Sequence, residues 1–212
     1  MKPTPKLTLD NLDRLDFAKG DGLLPALVQD AASGQVRMQG YMNREALVRT
    51  LESGLVTFYS RSKGRLWTKG EGSGNTLALL SAHGDCDHDS ILVLASPKGP
   101  TCHLGSDSCF GEAAPRLAFL AELERLLEQR LAEGGDGSYT VRLANKGLSK
   151  VAQKVGEEGV EVALAAVCED DQTLIGESAD LLYHLLLTLR LRGLTLGQVV
   201  AELSARHRAR QA

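Results

Sequence analysis

The sequence predicts two domains: an N-terminal α+β domain on a short-stranded sheet over residues 1–112, and a C-terminal all-α helical bundle over 113–212. Three observations predict it. Up to about Gly111 the chain is rich in glycine and in short apolar runs divided by turn residues, the pattern of short strands. From Pro115 onward the apolar residues recur at helical spacing and no strand-like run remains. The 212 residues, 43% hydrophobic and 24% charged, have an ordinary globular composition with room for two small cores.

In the first half GLLPALVQD, VRMQGYM, LVTFYS, LALLSA and ILVLAS read as strands, and 43–53 as a helix capped by Asn43 and closed by Gly54. In the second half Pro115 suits the first turn of a helix. Its Leu117, Leu120, Leu123, Leu127 and Leu131 share one face, and Gly134-Gly135 ends it. Further helices are expected over about 148–167, 174–192 and 196–208.

Lys plus Arg is 24 against 27 Asp plus Glu, a net charge of −3, so no basic field exists to hold duplex nucleic acid. No apolar signal region or membrane-spanning stretch is visible, and the expected compartment is the cytoplasm. Three of the four cysteines fall in one short segment, which in a reducing compartment argues for metal or catalysis over disulfides. Cys168 stands apart and is expected to be a small buried residue.

That segment is GDCDHDSILVLASPKGPTCHLGSDSCFG. Asp85, Asp87 and Asp89 alternate at what reads as the start of a strand, on one face about 6–7 Å apart, where they would repel unless a cation lay between them. A calcium loop starting at Asp85 fails, because Ser90 and Ser96 stand where glycine and glutamate are needed. Magnesium shared with substrate phosphates fits better, and a solvated acidic turn is the alternative. Cys86, Cys102 and Cys109 offer three soft ligands, the number that leaves zinc an open position for water. His103 beside them is a base or a fourth ligand. On a strand, Cys86 would face away from the three aspartates.

The preceding YSRSKGRLWTKGEGSGN sets Ser60, Arg61, Ser62, Lys63, Arg65 and Lys69 around glycines, a composition suited to phosphate, with Trp67 able to stack on a base. A plain glycine-rich surface hairpin is the alternative.

In the helical half Glu158 and Glu161 share one face, as do Glu177 and Asp180. If the two helices fold back about Glu169, Glu161 meets Glu177 and Glu158 meets Asp180. The result is a square of four carboxylates among Val155, Val162, Leu181 and Leu182 that a magnesium cluster would stabilise. Glu157 could add a ligand or position water, and Lys154 is the one cation well placed on that face. Such acidic clusters suit hydrolysis of a nucleotide's phosphate chain. His184 reads as a satisfied histidine.

At these residues the chain resembles the bifunctional histidine-biosynthesis family in which phosphoribosyl-AMP cyclohydrolase is fused to phosphoribosyl-ATP pyrophosphohydrolase. The motifs are SRSKGRLWTKGEGSGN, DCDHD, GPTCHLGSDSCF, SYTVRL, KGLSKVAQKVGEEGVEVALAA and GESADLLYHLL. The resemblance implies zinc on Cys86, Cys102 and Cys109, with ligands from two subunits of a homodimer. It also implies magnesium at Asp85, Asp87 and Asp89 and His103 as general base. Substrate binding falls to Ser60, Arg61, Ser62, Trp67, Lys69, Glu71 and Ser73. In the second half it implies a magnesium cluster of the pyrophosphohydrolase type on Glu158, Glu161, Glu177 and Asp180, with Glu157 catalytic and Lys154 binding substrate. Lys63 departs from an expected arginine and Gly72 from a hydroxyl residue. The competing readings are a general nucleoside triphosphate pyrophosphohydrolase with a zinc-bearing accessory domain, and a zinc-stabilised module contacting single-stranded RNA through Arg61, Trp67 and Lys69.

Overall fold

A computed structural model describes residues 6–135 and 137–211, and the chain divides into two compact units between Ala118 and Phe119. Residues 113–118 go with the first unit, where Gln35 Nε2 donates to Ala113 O (3.3 Å). No helix among the described residues is long and apolar enough to cross a membrane.

In the first unit two 3-10 turns, Leu9–Arg14 and Phe17–Gly20, precede β1 (Leu24–Asp30) and β2 (Val36–Met42). Then come α1 (Arg44–Ser53), β3 (Thr57–Ser60), β4 (Arg65–Thr68), β5 (Leu77–Gly84) and β6 (Ile91–Pro97). A four-stranded sheet runs β2-β1-β6-β5, with β1 parallel to β6 and the other neighbours antiparallel; β3 and β4 form a separate ribbon. Leu24, Ala26 and Val28 alternate inward along β1 and meet Met42, Leu47, Phe58, Leu77, Ile91 and Val93 in the core. Helix α1 starts where the sequence predicts: the Asn43 side chain accepts from Ala46 N (2.8 Å), and Gly54 takes the left-handed φ of 69° that closes it. Thr50 Oγ1 accepts from Thr57 N (2.9 Å) and so ties α1 to the ribbon.

Two local features differ from the expected strands. Arg65–Thr68, not named among the expected strands, pairs with β3 and sets Trp67 opposite Phe58, so the segment forms a hairpin; four residues are too few to show a period. Asp85, Asp87 and Asp89 do not begin a strand. β5 ends at Gly84, and Asp85 Oδ1 accepts from Asp89 N (3.0 Å) and Ser90 N (3.1 Å), folding the segment into a turn with His88 at φ 65°.

The second unit holds α2 (Ala118–Glu133, all but its first residue), α3 (Tyr139–Asn145), α4 (Leu148–Cys168), α5 (Asp171–Leu191) and α6 (Leu196–Ala209). Leu127, Leu143, Val151, Leu186 and Leu187 form its buried core, with Leu120, Leu123 and Leu131 packed against them. Leu117 is 77% exposed and precedes the helix, because α2 starts at Ala118. The short helix α3 lies in a stretch where the sequence shows no periodic run. Helices α4 and α5 turn about Glu169 and Asp170, and the Asp170 side chain accepts from Thr173 N (2.8 Å) to start α5. Cys168 is exposed, contrary to expectation, because it ends α4 at the tip of this turn.

Candidate functional sites

In the first unit a cavity of about 580 Å³ is lined by Trp67, Lys69, Glu71, Ser73, Cys102, His103 and Cys109 among others. The ribbon and the loop after β6 thus bring the predicted base-stacking, phosphate-binding and thiol residues to one place. Lys69 is buried and donates from Nζ to Asn75 O (3.2 Å). Trp67 stacks on Phe58 with ring centroids 5.7 Å apart, which fixes its plane. Glu71 is held by Arg65 (2.7 Å) and Thr68 N (3.2 Å); the Arg65 hydrogen bond keeps its carboxyl below the ordinary range. Ser60, Arg61 and Ser62 are not among the cavity-lining residues: Arg61 lies over the Tyr41 ring, 3.9 Å from its centroid, and the two hydroxyls are 3.5 Å apart.

Cys102 Sγ lies 3.9 Å from His103 Nδ1. Hydrogen bonding from the Leu104 backbone, then from the Ser106 hydroxyl, lowers the Cys102 thiol pKa, whereas desolvation raises that of Cys109. Both thiols line the same cavity. Cys86 is exposed on the β5–β6 turn, 4.0 Å from Asp87 Oδ1, and among the described residues the three thiols form no common cluster within one chain. The strand-face objection to Cys86 lapses, since it sits on a turn.

One oxygen from each of Asp85, Asp87 and Asp89 lies within 4.8 Å of the others. Their cation in the chain itself is Lys19, which pairs with Asp87 (3.0 Å) and with Asp89 and lowers the Asp87 pKa. Sequence reasoning missed Lys19; at 68 positions from Asp87 it carries no local signal. A more open hollow of about 770 Å³, lined by Asp13, Phe17, Arg44 and neighbours, holds none of the predicted site residues.

In the second unit Glu158, Glu161 and Glu177 place carboxylate oxygens within 4.8 Å of one another, as the folded hairpin requires. Asp180 is exposed and outside this trio, so three of the four expected carboxylates converge; the backbone oxygen of Asp180 accepts from His184 Nδ1 (2.9 Å). Glu158 is buried, with Lys154 Nζ 3.1 Å and His184 Nδ1 3.5 Å from its Oε1. His184 Nε2 meets Tyr139 OH (3.2 Å), so this buried histidine is satisfied on both nitrogens. Tyr139 is a contributor that sequence reasoning missed, because it belongs to α3. Glu157 accepts from Gln153 Nε2 (2.6 Å) and Lys154 Nζ (2.8 Å).

Crowding shows in the protonation. Glu161 is raised from its ordinary value, first by its hydrogen bond with Glu158 and next by burial. A divalent cation relieves that crowding, and the oxygen-only donor set suits magnesium. The thiols with the adjacent imidazole suit zinc, provided another chain completes the set.

Two chemically unlike clusters, each on its own folding unit, define a bifunctional enzyme. A profile of the phosphoribosyl-AMP cyclohydrolase family matches residues 38–111, and one of the phosphoribosyl-ATP pyrophosphohydrolase family matches 120–207. The chain is 57% identical over 199 residues to the histidine biosynthesis bifunctional protein HisIE of Xanthomonas campestris pv. campestris, covering 94% of this chain and 96% of that protein. It is 54% identical over 201 residues to the protein of the same name from Escherichia coli K12, with 95% and 99% covered. The one from Xylella fastidiosa Temecula1 is 58% identical over 197 residues, with 93% and 95% covered. The chain therefore belongs to the HisIE family of bifunctional histidine-biosynthesis hydrolases.

Proposed function

We propose that the chain carries out two consecutive hydrolyses: phosphoribosyl-ATP to phosphoribosyl-AMP and pyrophosphate in domain 113–212, then opening of the purine ring of phosphoribosyl-AMP in domain 1–112. The observation that supports it most is that each family-matched segment contains its own cluster, thiol and imidazole in one, carboxylates in the other.

In the second domain Glu158, Glu161 and Glu177, with Asp180 of the same helix hairpin, would hold magnesium. Glu157 takes a proton from the water that attacks between the α- and β-phosphates, and Lys154 neutralises the phosphate chain. Pyrophosphate departs and phosphoribosyl-AMP remains. In the first domain Cys86, Cys102 and Cys109 hold zinc, with ligands drawn from two subunits of a homodimer. Asp85, Asp87 and Asp89 hold magnesium once Lys19 is displaced. When bound, zinc activates water and magnesium neutralises phosphate. His103 accepts the proton of the water that adds to purine C6 and passes it to N1 as the C6–N1 bond breaks. Lys69, with Ser60, Arg61, Ser62, Glu71 and Ser73, binds the phosphoribosyl groups, while Trp67 faces the base.

Free thiols and biosynthetic relatives support a cytoplasmic setting. The RNA-binding alternative is disfavoured, because both matched segments and the full-length relatives are those of histidine-biosynthesis hydrolases. The test is incubation with phosphoribosyl-ATP, Mg²⁺ and Zn²⁺. Pyrophosphate release followed by the ultraviolet change of purine opening is expected, and turnover of ordinary nucleoside triphosphates with no ring opening would overturn the proposal.

A further inference from the structure

The thiol loop has to be fixed relative to the sheet, and the structure shows how. β2 is an edge strand with β1 on one side only. Onto it folds the turn that carries Cys109. Cys109 N donates to Arg37 O (2.8 Å), Ser108 Oγ donates to Val36 O (2.7 Å), and the same oxygen accepts from Phe110 N (2.9 Å). Ser108 is 1% exposed.

Beneath this turn lies a buried ion pair. Arg37 Nη2 donates to Asp30 Oδ2 (2.9 Å), and both side chains are 2% exposed. Arg37 Nη1 reaches out of the sheet to donate to Asp107 O (2.7 Å), while Arg37 Nε has no partner. A buried pair with an unsatisfied donor is a weak source of stability, since desolvation offsets most of the attraction. Its geometric effect is plain: residues 107–109 are held by two backbone carbonyls of β2 and one guanidinium, all anchored in the core.

We infer that Ser108 and the Asp30–Arg37 pair are positioning residues for the Cys109 thiol, setting where it stands beside Cys102 and hence how tightly zinc is held. This rests on the proposed zinc role of the thiols. Groups that orient metal ligands without touching the metal typically change affinity by about 10–100-fold when lost.

The test uses the full-length protein with two variants. Ser108→Ala removes the hydroxyl. Arg37→Met together with Asp30→Asn removes the guanidinium without leaving a buried charge; the asparagine oxygen still accepts from Ala32 N, which bonds Asp30 Oδ1 at 3.1 Å, and its amide can donate to the Ser33 hydroxyl, which lies 2.9 Å from Oδ2. Zinc affinity is read by competition with a chromogenic chelator, hydrogen exchange by the Cys109 amide in zinc-free protein, and pyrophosphate release as an internal control. The expected result is zinc binding about tenfold or more weaker in each variant, faster exchange at Cys109, and unchanged pyrophosphate release. Unaltered zinc affinity in both variants overturns the inference, and so does a loss of both activities with a collapsed melting transition in each. If the unsubstituted protein binds no zinc, the zinc role fails, and this inference with it.

Discussion

Gly40→Ala tests how the fold sets the shape of the cyclohydrolase cavity. Gly40 lies in β2 against the Phe58 ring, where an added Cβ would stand 2.4 Å from Cδ1 and 2.5 Å from Cε1, about 1 Å short of the 3.4 Å at which ordinary contact begins. Phe58 is 2% exposed and stacked on Trp67, which lines the cavity with Cys102 and Cys109. The ring cannot yield without moving the indole. Overpacking of this kind costs about 1–3 kcal/mol, which for a domain of this size lowers the melting temperature by at least about 4 °C. Calorimetry should show that drop, and the ultraviolet assay should show a raised KM for phosphoribosyl-AMP, with pyrophosphate release unaltered. Adding Phe58→Leu should recover much of the lost stability. Melting within about 1 °C of the parent with an unchanged KM would refute the reasoning.

Four further outcomes are expected. Glu161→Gln should abolish pyrophosphate release and spare ring opening when phosphoribosyl-AMP is supplied; retained release would remove the carboxylate trio from the mechanism. Cys102→Ala should do the reverse, and simultaneous loss of both activities in a folded protein would refute independent sites. Because the hydrogen bond with Glu158 raises the Glu161 carboxyl from its ordinary value, magnesium competes there with a proton as pH falls. Affinity should therefore decline with falling pH sooner than at an ordinary glutamate, with proton release on binding visible by calorimetry under acidic conditions; a pH-independent affinity would contradict it. In metal-free protein near neutral pH, Cys102, with its lowered pKa, should be alkylated before Cys109, whose pKa burial raises. Mass mapping that finds Cys109 modified first would count against this.

What could be read from the sequence was local. Asn43 and Gly54 bound α1 through contacts within a few residues, and the α4–α5 turn at Glu169 and Asp170 follows from polar residues between two periodic runs. The same periodicity brings Glu158, Glu161 and Glu177 together. Asp180 escapes it because sequence spacing fixes which residues share a face, not where a side chain points from it. Strand β4 and helix α3 are too short to show a period, and with α3 goes Tyr139, the partner of His184. Contacts such as Lys19 with Asp87, or Arg37 with Asp107, join residues that only the finished sheet makes neighbours.

The sheet's two middle strands come from opposite ends of the first domain: Ala26 of β1 stands beside Ile91 of β6. On a ribosome the earlier of the two must wait, its second flank bare, until the later one has left the exit tunnel. The helical hairpin, by contrast, closes between neighbours in the chain, and contacts of that kind form sooner. The half synthesised last is thus poised to finish quickly, while the half synthesised first is exposed longest to mispairing. A truncation beginning at residue 38, where the cyclohydrolase similarity starts, would discard a middle strand and strand the β2 edge without its template.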